Sequence, residues 1–91
     1  MRALLVFLIL LLAATLVAQQ KVSDDLIYDE VRRKLANDTT AKGGALGVEV
    51  KDGVVTLSGK VKSQKQKDRA ESLTKKVRGV TKVINKIVLD L

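Results

Sequence analysis

Apolar and polar positions change their spacing along the chain, and each change marks an element. In "SDDLIYDEVRRKLAND", Ile27, Val31 and Leu35 recur at i, i+4 and i+8, with Ser23 or Asp24 as N-cap and acids in the first turn. This predicts an amphipathic helix of about three turns with Tyr28 beside its buried stripe, ended by Asn37 and Asp38. "TTAKGGALG" mixes small and flexible residues without an apolar period, and is read as a linker turn feeding a strand.

Strict alternation follows. In "LGVEVKDGVVTLSG", Asp52-Gly53 is a two-residue hairpin signal, because a type I′ turn needs positive φ at both central positions. A turn there sets Lys51 opposite Val54, Val50 opposite Val55, Glu49 opposite Thr56 and Val48 opposite Leu57. Val48, Val50, Val55 and Leu57 then share one face, whereas a slip of one residue would bury Glu49. The same stretch excludes a phosphate loop. Five residues, not four, separate Gly53 from Gly59, Val61 stands where Ser or Thr would hold magnesium, and a strand's amides are committed to its ladder.

"SQKQKDRAESLTKKVRGV" returns to helical spacing, with Ser63 and Gln66 in capping-box relation, Ala70, Leu73 and Val77 as its buried stripe and Gly79 as C′ glycine. "TKVINKIVLDL" alternates again. Val83, Asn85, Ile87 and Leu89 point inward, with the Asn85 amide expected to bond a loop at the sheet's rim, and Ile84, Lys86, Val88 and Asp90 point outward. The order α-β-β-α-β predicts an α+β fold, in which a crossover helix makes the second and third strands parallel. The expected architecture is a three-stranded mixed sheet with both helices packed on one face.

The N-terminal run is a different kind of sequence. Met1 and Arg2 precede an uncharged stretch, Ala3 to Ala18, rich in Leu, Val, Ile and Ala. Residues 1–18 read as a signal peptide cut after Ala18, leaving a domain of residues 19–91. The alternative is an uncleaved anchor that tethers the domain to the inner membrane. Leu16 is bulky for the position two before the cut, while the run is shorter than the roughly 20 residues of a spanning helix.

Composition narrows the chemistry. There is no cysteine and no histidine, which removes disulfides and the commonest zinc and nucleophile constellations, and no metal or cofactor is expected. Asp24, Asp25, Asp29 and Glu30 cluster at a helix start, where the helix dipole accounts for them. Asp68 and Glu71, an i, i+3 pair on a basic helix, are read as solvated ion pairing rather than an acid/base dyad, so no enzyme is expected. Charge is uneven: residues 19–59 hold six Lys/Arg against seven Asp/Glu, and residues 60–91 hold ten against three. Nucleic acid is not expected as a partner, since Tyr28 and Phe7 are the chain's aromatics and Phe7 lies in the leader.

The order of elements, the "DGVVTLSG" hairpin, the "RGV" helix end and the "KVINKIVL" strand resemble the BON domain family, named for bacterial OsmY and nodulation proteins. The resemblance runs from about Ser23 to Leu91. It rests on Val48, Val50, Gly53, Val55, Leu57, Ser58, Gly59, Ala70, Gly79, Val80, Val83, Asn85 and Ile87. The loop from Thr39 to Gly47 is glycine-rich for the family, and the sequence carries one copy where many relatives carry two. The resemblance implies an exported, non-enzymatic module of the bacterial envelope, linked to osmotic and envelope stress. Several relatives are thought to bind phospholipid or to help envelope assemblies.

Two surfaces can carry such a role. Lys65, Arg69 and Lys76 fall on one flank of the second helix, with Lys62 just before it, and are the candidate contacts to an anionic phospholipid surface. Lys67 and Arg78 fall on the other flank. The alternative is a protein-interaction module or periplasmic holdase that uses the open sheet face: Val54, Thr56, Ile84 and Val88, framed by Glu49, Lys51 and Lys86. Envelope proteins or a second copy of the chain would be its partners. A solvated basic helix and ordinary surface hydrophobicity are the plainer readings of the same residues.

Overall fold

A computed structural model describes residues 21–90, so the run at residues 1–18 that reads as a signal peptide lies outside the described residues. Helix α1 (Asp24–Asn37) leads through the short 3-10 turn η1 (Gly43–Ala45) into strands β1 (Gly47–Lys51) and β2 (Val54–Ser58). Strand β3 (Lys60–Val61), helix α2 (Gln64–Lys75), strand β4 (Lys82–Asn85) and strand β5 (Val88–Leu89) complete the chain's described part.

The hairpin register is the one that the Asp52-Gly53 turn dictates. Val48 pairs with Leu57, Glu49 with Thr56 and Val50 with Val55, and φ is +50° at Asp52 and +79° at Gly53. Strand β2 is central, antiparallel to β1 and parallel to β4, which gives the expected three-stranded mixed sheet. Its inner face carries Val48, Val55 and Leu57, which form one core with Ile27, Val31 and Leu35 of α1 and Ala70 of α2. Both helices therefore cover the same face. The clustered apolar area, not any single polar contact, stabilises the fold.

The last strand differs from the expectation. It breaks at Lys86 and Ile87 into β4 and β5, and β5 pairs with β3 in a separate two-stranded sheet. The register nevertheless runs on, since Val54 with Lys82 and Lys60 with Val88 are both pairs 28 positions apart. Backbone bonds from Lys86 to Leu57, Val88 to Gly59 and Asp90 to Val61 (2.8, 2.9 and 2.8 Å) carry the ladder through the break. Gly59, at φ +119°, bends the partner strand there, and an added Cβ would stand 3.1 Å from the Leu46 side chain. Val88 is thus displaced from the three-stranded sheet, and Leu89, expected inside, is exposed.

Other local expectations are also corrected. Helix α2 ends at Lys75 rather than running to Gly79, and Val77 is buried in the turn beyond it. Thr74 joins the buried stripe because its hydroxyl donates to the Ala70 carbonyl at 2.8 Å. The segment read as a linker turn packs into the core through Ala41, Gly43 and Leu46. The Asn85 amide donates to the Lys67 carbonyl of α2 at 3.2 Å, not to a loop, and accepts from the Ile87 amide at 3.1 Å. Ser63 caps α2 by accepting from the Gln66 amide, while the Gln66 side chain accepts from Lys62, one residue before the reciprocal position of a capping box.

Asp24 does more than complement a helix dipole. Its two carboxylate oxygens accept from the Asp52 and Gly53 amides at 2.9 and 3.1 Å, clasping the hairpin turn to the start of α1. A hydrogen bond to a charged group contributes about 1.5–3 kcal/mol, and less where water reaches it, as at the exposed Asp52 amide. Asp24→Ala is expected to lower unfolding free energy by about 1.5 kcal/mol in urea titration, with little change in the slope.

Candidate functional site

The basic flank of α2 does not act as one cluster, because its ends have different partners. Arg69 donates from Nε and Nη2 to Asp38 Oδ2 at 3.0 and 2.8 Å, while Asp38 Oδ1 accepts from the Thr40 and Ala41 amides at 3.0 and 2.8 Å. The Asp38 side chain keeps 14% of its surface exposed against 41% for Arg69. The Arg69 guanidinium, with help from the Ala41 amide, holds the Asp38 carboxyl below its ordinary value of 3.8, and the carboxylate raises Arg69 in turn. Arg69 thereby fastens α2 to the segment after α1.

The neighbouring cations divide accordingly. Lys62 lies 3.7 Å from Asp90, both being exposed. Lys65 lines a shallow concavity with Thr40, Gln64, Asp68, Arg69 and Ser72, where Asp68 and the paired Asp38 balance the two cations. Lys76 lies beyond the other end of α2, eleven residues on and about 16 Å along the helix direction.

Lys76 belongs to a seam between the helices that the sequence reading did not assemble. Val22, Leu26, Glu30, Lys34, Lys76, Val77 and Arg78 line it. Arg78 arrives there, rather than on the opposite flank, because α2 stops at Lys75: the Lys76 and Val77 amides bond to the Leu73 and Thr74 carbonyls, and the chain turns. Among the described residues Lys34, Lys76 and Arg78 make no ion pair, while Glu30 is paired with Arg33. Leu26, 63% exposed, stands among these cations. Its sequence signal was available, since Leu26, Glu30 and Lys34 fall at i, i+4 and i+8 on one line of α1.

The open sheet face is smaller than expected. Val54, Thr56 and Ile84 are half-buried on it, and Thr56 pairs with both Glu49 and Ile84 across the sheet. Lys82, beside Val54, takes the framing position expected of Lys86, and Val88 lies on the separate β3–β5 pair. Among the described residues there is no group of three or more His, Cys, Asp or Glu able to hold a metal, and no buried side-chain polar atom lacks a partner.

These features define a small α+β module with a cationic seam between its helices and a modest half-apolar sheet face. The BON domain profile matches residues 23–90, and the chain belongs to the BON domain family. Over 62 residues it is 47% identical to osmotically-inducible protein Y of Escherichia coli (strain K12). That alignment covers 68% of this chain and 31% of the relative, so the chain matches less than a third of that protein's length.

Proposed function

We propose that this chain is a non-enzymatic BON domain of the bacterial envelope, exported to the periplasm and active in osmotic or envelope stress, where it docks on anionic phospholipid. The osmotic name of the E. coli relative supports the stress assignment. The observation that carries the lipid reading is the seam. Lys34, Lys76 and Arg78, unpaired among the described residues, surround exposed Leu26 in a single concavity.

Each cation near an anionic surface contributes about 1 kcal/mol, so the three supply about 3 kcal/mol before the cost of ordering. Leu26 adds apolar contact at the headgroup boundary. The docking is weak and salt-sensitive, because exposed charges are screened within a Debye length. The Lys65 and Arg69 end contributes less, its charge being balanced by Asp68 and Asp38.

The test is vesicle co-sedimentation with the chain from Gln19, which holds the whole described core. Binding to phosphatidylglycerol-containing vesicles is expected at low salt and release at about 1 M salt, where the Debye length is about 3 Å. The combined change Lys34→Gln, Lys76→Gln and Arg78→Gln reduces binding to the level of neutral vesicles, while Lys62→Gln with Lys65→Gln retains most of it. Equal binding to neutral and anionic vesicles, or an unchanged triple variant, would overturn the proposal.

A further inference from the structure

Strand β1 lies at one side of the three-stranded sheet and pairs only with β2 among the described residues. A two-residue turn bonds the carbonyl before it to the amide after it, here Lys51 and Val54, so the bonds from β1 to β2 fall at Lys51, Glu49 and Gly47. The amides and carbonyls of the even-numbered residues face away from β2. Two bonds agree with this: Arg32 Nη1 donates to the Leu46 carbonyl at 2.6 Å, and the Asp52 amide donates to Asp24 Oδ2 at 2.9 Å. Between them, the outward groups of Val48 and Val50 have no partner among the described residues.

One line of α1 runs along this edge. Asp24, Tyr28 and Arg32 follow at i, i+4 and i+8, and the first and last of them hold the two ends of β1. Tyr28 lies between, with the Arg32 guanidinium 5.9 Å from its ring centroid, and is 40% exposed. Val50 points to the core side, opposite the wholly buried Val55, yet is only half-buried because its strand is the sheet's edge.

On the outer face, exposed Glu49 and Lys51 stand opposite the neutral Thr56 and Val54, and neither makes an ion pair among the described residues. Charged side chains on an edge ordinarily discourage pairing with another chain. Here their order is self-complementary in one register. When two copies of β1 run antiparallel about a two-fold axis at Val50, the two Val50 residues exchange a pair of backbone bonds, and Glu49 of each copy stands opposite Lys51 of the other. Moving the axis to Glu49 sets Glu49 against Glu49, and moving it to Lys51 sets Lys51 against Lys51, both of which oppose pairing.

We propose that the β1 edge is a self-association surface: two copies of this chain join antiparallel at Val50, with Glu49 and Lys51 of each copy paired to Lys51 and Glu49 of the other. Three strands from each copy then form one continuous sheet. The joined edge completes the burial of Val50 and satisfies its amide and carbonyl. Five residues of strand, about 17 Å, make a small interface of the transient class. The surface is separate from the seam, because Leu26, Glu30 and Lys34 lie on the flank of α1 away from Asp24, Tyr28 and Arg32. Neither reading depends on the other.

The test is sedimentation velocity of the chain from Gln19, which holds the whole described core, from micromolar to millimolar concentration at low salt. The parent chain is expected to pass from monomer to dimer and no further. Glu49→Lys and Lys51→Glu each set like charges opposite one another on both sides of the axis, and each should weaken the dimer by about tenfold or more. Lys51→Glu does so although it lowers the charge of a basic chain, an effect that general repulsion between copies would reverse. The double variant, which exchanges the two charges, should regain the dimer. An equimolar mixture of the two single variants should form a mixed dimer at least as strong as the parent's.

The chain has no cysteine, so a disulfide can report the register. Val50→Cys puts two thiols at the axis, where Cα atoms about 5.5 Å apart suit a disulfide, and should oxidise to a linked dimer. Val54→Cys, half-buried on the outer face of β2, should not. Linking through Val54→Cys in preference to Val50→Cys would assign association to the open sheet face and overturn the proposal. A monomer throughout the range, an assembly larger than a dimer, or a charge exchange that fails to restore what either single change removes would overturn it as well.

Discussion

Leu57→Ala is expected to take the domain to the edge of unfolding. Leu57 is wholly buried on the central strand, between Val48 of β1 and Asn85 of β4. Truncating a Leu in such a site costs about 2–5 kcal/mol, because transfer free energy is lost and a cavity remains. A domain of about 70 described residues has about 4–10 kcal/mol of stability in total, so the loss consumes a large share of it. Val54→Ala, three residues earlier on the opposite face and half-buried, should cost less than about 1 kcal/mol. Urea titrations of the two variants check the register directly, and equal losses would show that the face assignment is wrong.

That contrast is legible in the sequence because two independent constraints meet there. The Asp52-Gly53 turn sets the pairing, and the period of two sets the face, so Val48, Val55 and Leu57 have only one way to avoid burying Glu49. Helix α1 is legible for a similar reason, since Ile27, Val31 and Leu35 repeat at one spacing under a Ser23 cap whose side chain accepts from the Leu26 amide.

Legibility failed where long-range packing overrode a local preference. Lys75, Lys76, Val77 and Arg78 are tolerable helix residues, and Gly79 is a good stop signal, so the pattern extended α2 to the glycine. In the fold Val77 must enter the core and Gly79 must lie against Val22 and Ile27. The helix therefore ends at Lys75. That early end brings Arg78 to Lys76 and creates the seam, so an error of a few residues in one boundary concealed the candidate site.

The pairings of Asp24 with the turn and of Asp38 with Arg69 were hidden for another reason. Partners about thirty residues apart leave no periodicity to read. A basic residue on a basic helix looks solvated until its partner is seen.

Arg69 separates the structural reading of the basic flank from the lipid reading most directly. Arg69→Met keeps the length of the stem and removes the guanidinium, which leaves Asp38 with the Thr40 and Ala41 amides alone. The variant should melt at lower temperature near neutral pH. Its binding to anionic vesicles, measured where it remains folded, should be unchanged.

The pH dependence carries the second half of the test. The folded Asp38 carboxyl lies below its ordinary value of 3.8, chiefly through Arg69. A depressed carboxylate contributes stability above its unfolded value, near 3.9, and loses it as pH falls through the folded value. The gap in stability between the parent and Arg69→Met should therefore be widest at neutral pH and close as the pH is lowered below about 3.9. Asp38→Asn should reproduce the loss near neutral pH and flatten the acid dependence. Loss of vesicle binding in Arg69→Met with stability unchanged would return Arg69 to the lipid surface and separate it from the Asp38 pin.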